Sequence, residues 1–128
     1  MTLQGGDREF GHGDQVTVVN DSGGTLAGGT PVKVTGRAAT GDHVTVEPST
    51  NGDDSDGILA DAAGDGEAIQ MVSHGLVWAI VDGDVSASAT VGETGDGVLG
   101  TGESDYTVYE ANRTDKDGSN VALIRYEN

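Results

Sequence analysis

The sequence predicts an all-β fold: a small compact β-barrel or sandwich of short antiparallel strands with glycine-rich turns. Three observations support this. Valine alternates with a polar residue in short runs at 16–18, 32–34 and 44–46. Gly, Asn and Asp clusters that favour tight turns separate the apolar runs, as at 20–24 and 82–84. No segment has a convincing helical period, so strands are expected throughout.

Further strands are expected where β-branched and aromatic residues recur between turn signals. They are residues 57–60, 68–73, 76–81, 85–90, 106–109 and 121–126. We interpret His74 as part of a turn before Gly75, which separates 68–73 from 76–81. The apolar run 58–63 is the best candidate for a short helical turn.

The most apolar stretch, residues 75–81, supplies three candidate interface residues. On strict alternation Leu76, Trp78 and Ile80 share one face, and the residues between them occupy the other. Both faces are apolar, which suits a strand covered on both sides. One of the two covers is expected to be a partner subunit.

We expect one domain, because 128 residues can bury a usable core without disulfides. Residues 15–128 form the predicted barrel, and residues 1–14 form a flexible arm broken by glycines. The arm has no apolar stretch typical of a secretory signal. It does carry Leu3 and Phe10, two further interface candidates for capture by a neighbouring molecule. The alternative for Phe10 is a plug over the end of the chain's own barrel.

The charge excludes several classes of partner. The chain has 22 acidic and 6 basic residues and a formal net charge of −16. Such a surface repels nucleic acid and anionic membranes, and no apolar run is long enough to span a bilayer. Asp-rich, lysine-poor surfaces are typical of proteins from salt-accumulating halophiles. The same composition is compatible with disorder, but 15 valines, many in alternation, favour a folded chain.

The residues that carry catalysis or bind metals are not arranged in recognisable motifs. There is no cysteine, and the three histidines, His12, His43 and His74, lie 31 residues apart. The acidic loops that end at Gly57 and Gly118 lack the first and twelfth ligands of an EF-hand. No nucleophile elbow, zinc-protease motif or phosphate-binding loop is present. We therefore predict no enzyme activity, no cofactor and no metal site.

The order of several segments resembles small capsid decoration (cement) proteins of tailed viruses. The matching segments are residues 18–26, 29–36 (with Gly-Thr-Pro-Val), 57–60, Gly66-Glu67, Val72, Gly75, Val77, Ala79, 91–93 and 97–99. Each segment alone is general β-sheet sequence, and the specificity lies in their order. The resemblance covers about residues 16–100, leaving the arm and the C-terminal residues 101–128 outside it.

The resemblance implies a β-barrel on the outside of an icosahedral head, which it stabilises, with the major capsid protein as partner. Such proteins are commonly trimers, so the chain itself is a second expected partner. The expected location is the virion exterior, after assembly in the host cytoplasm. Together with the halophile-like composition of the chain, the resemblance implies that the virus infects a haloarchaeon. The alternative is a ligand- or carbohydrate-binding module of a halophile surface or viral adhesion protein, which a signal peptide or aromatic platforms would favour.

The charge predicts that the fold weakens as salt is removed. In molar salt the Debye length is about 3 Å, which screens repulsion among the carboxylates. We expect the melting temperature to fall between molar and low sodium chloride. Thermal melts followed by circular dichroism would measure this, and an equal or higher melting temperature at low salt would contradict adaptation to high salt.

Overall fold

The computed structural model describes residues 11–37, 43–49, 55–82, 90–95, 98–100, 106–114 and 120–127. These residues form strands and no helix, so the all-β prediction is confirmed. The strands are β1 (Gly11–Asn20), β2 (Pro31–Arg37), β3 (Val44–Pro48), β4 (Gly57–Leu59), β5 (Ala68–Asp82), β6 (Thr90–Gly95), β7 (Val98–Gly100), β8 (Tyr106–Thr114) and β9 (Asn120–Glu127).

The first five strands close into a barrel. Their order is β1-β3-β2-β4-β5, and pairing between β1 and β5 joins the two ends. The β1–β3 pair is parallel, whereas β2–β3, β2–β4, β4–β5 and β1–β5 are antiparallel. The barrel surrounds an apolar cluster formed by Val18, Val32, Val46, Leu59 and Met71. Each of β1, β2 and β3 thus contributes one buried valine to this core. The other valines of the first two runs, Val16 and Val34, are exposed, although a period of two predicts that they too face inward.

The remaining strands close a second circuit on the other half of β5. Here β5 pairs with β7, β7 with β6, β6 with β8, β8 with β9, and β9 again with β5. The larger apolar cluster lies against this circuit and consists of Ile58, Val72, Val77, Ala79, Val81, Leu99, Tyr106, Val108, Ala122, Ile124 and Tyr126. Closing both circuits leaves β5 common to the two cores.

Strand β5 differs from the prediction. The expected turn at His74 is wrong, because β5 runs without interruption for 15 residues. The register of β1 on β5 shows a bulge instead: Asp14 lies opposite His74, but Gln15 lies opposite Val72, so Ser73 is the extra residue. Gly75 has φ 126°, a backbone conformation that favours glycine.

The bulge explains why one strand serves two cores. Met71 faces the first core and its neighbour Val72 faces the second. After the extra residue the alternation changes phase, and Val77 and Ala79 face the second core. Because apolar runs stand on both sides of Ser-His-Gly, the sequence looks like two strands, although it is one strand in which the alternation changes phase.

Strand β4, like β5, contributes side chains to both cores. Ile58 lies opposite Val72 and belongs to the second core, whereas Leu59 lies opposite Met71 and belongs to the first. The helical turn considered for residues 58–63 is wrong, because the chain leaves β4 and forms an isolated bridge between Ala63 and Leu26. The β4–β5 pair is therefore a wall with apolar side chains on both faces.

The predicted strands 16–18, 32–34, 44–46, 106–109 and 121–126 are confirmed within longer elements, and β4 occupies 57–59 of the predicted 57–60. Of the predicted strand 85–90, only Thr90 is described, at the start of β6. Residues 11–14, which the sequence analysis assigned to the arm, belong to β1 and pair with β5. Residues 1–10, including Leu3 and Phe10, lie outside the described residues.

The predicted turn at residues 20–24 is organised by Asn20, which is fully buried. Its side-chain amide donates to the carbonyls of Gly24 (2.8 Å) and Ala63 (2.9 Å), and its Oδ1 accepts from the Ser22 amide (2.9 Å). One side chain therefore satisfies three backbone groups on two loops, which is why an amide is needed here rather than an apolar residue.

A second buried polar contact joins distant parts of the chain. The Ser55 and Tyr126 hydroxyls lie 2.7 Å apart, and both residues are buried. The Tyr126 ring stacks on Tyr106 at a centroid separation of 4.9 Å. Two of the five aromatic residues therefore belong to the core.

The wall between the cores predicts a large effect of a small substitution. A methyl group added at Gly57 would overlap the Met71 side chain and lie 2.9 Å from the Val72 carbonyl oxygen. We expect Gly57→Ala to lower the free energy of unfolding by about 1–3 kcal/mol, as overpacking does. The matched control is Gly24→Ala, where nothing lies within 4 Å. Denaturant melts in molar salt would compare them, and equal stability of the two variants would contradict the described packing.

Candidate functional site

The predicted interface residues of β5 lie on one face, as alternation requires. Val77, Ala79 and Val81 point into the second core and are buried, whereas Leu76, Trp78 and Ile80 are half-buried on the opposite face. The sequence therefore placed these three side chains on the correct side of the strand. Their role as an interface stays a prediction.

Strand β9 extends this face. Leu76 lies opposite Arg125, and Trp78 lies opposite Leu123. Residues directly opposite each other in an antiparallel pair share a face. We name Leu76, Trp78, Ile80, Leu123 and Arg125 the outer β5–β9 face.

An aromatic–arginine pair lies at the edge of the outer β5–β9 face. The Arg125 Nε donates to the Tyr109 hydroxyl at 3.2 Å, and the guanidinium carbon lies 5.9 Å from the centroid of the same ring. Tyr109 is 48% exposed, the most exposed of the large apolar side chains that are described. Trp, Tyr and Arg are the residues that most often anchor protein–protein contacts. Tyr109 and Arg125 could not be found from sequence, because only the pairing of β8 with β9 brings them together.

Part of the cover expected from a partner subunit comes from the chain itself. Gly29 has φ 90°, and its backbone joins two strands: its amide donates to Leu59 O at 2.8 Å, and its carbonyl accepts from the Ile80 amide at 2.9 Å. A Cβ at this position would lie 3.3 Å from Ile80 Cγ1 and 3.1 Å from Trp78 O. The Gly29 loop therefore packs against Ile80.

The histidines do not form a described metal centre. His43 and His74 are exposed. His12 is on β1, opposite Leu76 of β5 and diagonally across from His74. His43 directly precedes β3. Within the described ranges, no group of three or more His, Asp or Glu residues could hold a metal ion. Of the two acidic loops, Asp53, Asp54, Asp115 and Asp117 lie outside the described residues, and the Asp56 carboxylate accepts from the Val34 amide at 2.8 Å.

None of the described Asp, Glu, Lys or Arg side chains is buried. The buried polar residues among those described are Asn20, Thr30, Ser49 and Ser55, and none is ionisable in the ordinary pH range. The described part of the chain contains no helix long and apolar enough to cross a membrane.

Comparison with known proteins finds a similar fold but no similar sequence. No protein-family model and no curated protein sequence matches the chain. A solved structure, the N base of the head fiber protein gp8.5 of bacteriophage phi29, matches with a TM-score of 0.65 and 10% sequence identity. The match covers 89% of this chain and 93% of that chain. The two proteins therefore share a fold across nearly their whole length.

The outer β5–β9 face can be monitored by its own tryptophan. Trp78 is the only tryptophan in the chain, so fluorescence reports on this face alone. If molecules associate through it, the emission should move to shorter wavelengths and acrylamide quenching should decrease as water is displaced from the indole. A dilution series in molar salt would measure both. Association seen by sedimentation with no change in the Trp78 signal would exclude this face.

Proposed function

We propose that this protein is a structural component of a virion. It binds the exterior of an icosahedral head through the major capsid protein, stabilises the head and acts as a homotrimer. It carries out no catalysis and needs no cofactor. Its working parts in this role are a rigid fold, a self-association surface and a footprint on the shell.

The observation that carries the proposal is the similarity in fold to the base of a phage head fiber. It extends over 89% of this chain and 93% of that structure, so it concerns the whole domain rather than one motif. The fold alone does not dictate a role. A second line of support comes from the sequence rather than the structure. The order of segments in residues 16–100 resembles that of capsid decoration proteins.

The composition supports a haloarchaeal virus as the source. The net charge of −16 comes with no buried charged residue among those described, so the excess charge serves hydration rather than internal ion pairs. A shell assembled in the same cytoplasm would be acidic as well. Contact with it should then rely on apolar and hydrogen-bonded groups, with carboxylates kept at the rim.

The direct test is binding to viral heads. Full-length protein is mixed in molar salt with particles of its virus from which it has been stripped, and the bound fraction is measured by sedimentation. We expect saturable binding, and particles that melt at a higher temperature when occupied. Failure of the full-length protein to bind would overturn the proposal.

The contribution of the arm is tested in the same assay. Because residues 11–14 pair with β5, the deletion should be confined to residues 1–10, which removes Leu3 and Phe10 without shortening β1. We expect reduced occupancy with an unchanged melting temperature of the free protein. Equal occupancy of the truncated and full-length proteins would remove the arm from the binding mechanism.

A further inference from the structure

We draw no further inference here: the strongest candidate, the outer β5–β9 face with the Tyr109–Arg125 pair at its edge, carries nothing because no contact in the described part of the chain shows what would cover it.

Discussion

The structure depends on the pairing of β5 with four other strands. Its first half pairs with β1 and β4, and its second half with β9 and β7. Every closed circuit in the described chain passes through it. A 15-residue strand is long for a domain of this size, and its length is what allows two apolar cores to share one element. Anything that displaces β5 should therefore disturb both cores together.

This arrangement places strict demands on a few positions. The wall formed by β4 and β5 must be apolar on both faces, so Ile58 and Leu59 are consecutive buried residues. Gly57 must remain without a side chain because Met71 and Val72 of β5 lie against it. Away from the wall, exposed positions are free to vary in charge without touching the cores. No Asp, Glu, Lys or Arg side chain that the structure describes is buried, so salt can screen these charges.

Much of the fold could be predicted from local pattern, and the rest depends on partners distant in sequence. Alternation located strands β1, β2 and β3 and assigned Leu76, Trp78 and Ile80 to one face, because the side-chain period of a strand is a local property. The bulge at Ser73 could not be predicted, since it is defined by the register of β1 on β5. The parallel β1–β3 pair was likewise invisible, as was the contact between Ser55 and Tyr126, which lie 71 positions apart.

The candidate surfaces likewise include features that local sequence predicts and features that depend on distant pairings. The apolar stripe of β5 was predicted from sequence, but the loop that packs on Ile80 was not, because Gly29 reaches β5 only after the barrel closes. Tyr109 and Arg125 meet only through the pairing of β8 with β9. On β2, the pairing with β4 ends where Val32 lies opposite Gly57, and the following residues Lys33–Arg37 are exposed.

This chain shares a fold with a phage head-fiber base at only 10% sequence identity. The packing requirements of a closed β fold explain how that is possible. A closed β fold needs apolar residues at alternate positions, and many apolar side chains of similar volume satisfy that requirement. Interior positions can therefore diverge in identity while keeping their pattern, and exposed positions can change charge altogether. The features that attach such a domain to a particular partner must then lie on the surface. On this chain they are to be sought where apolar and aromatic side chains interrupt the acidic surface, at the outer β5–β9 face.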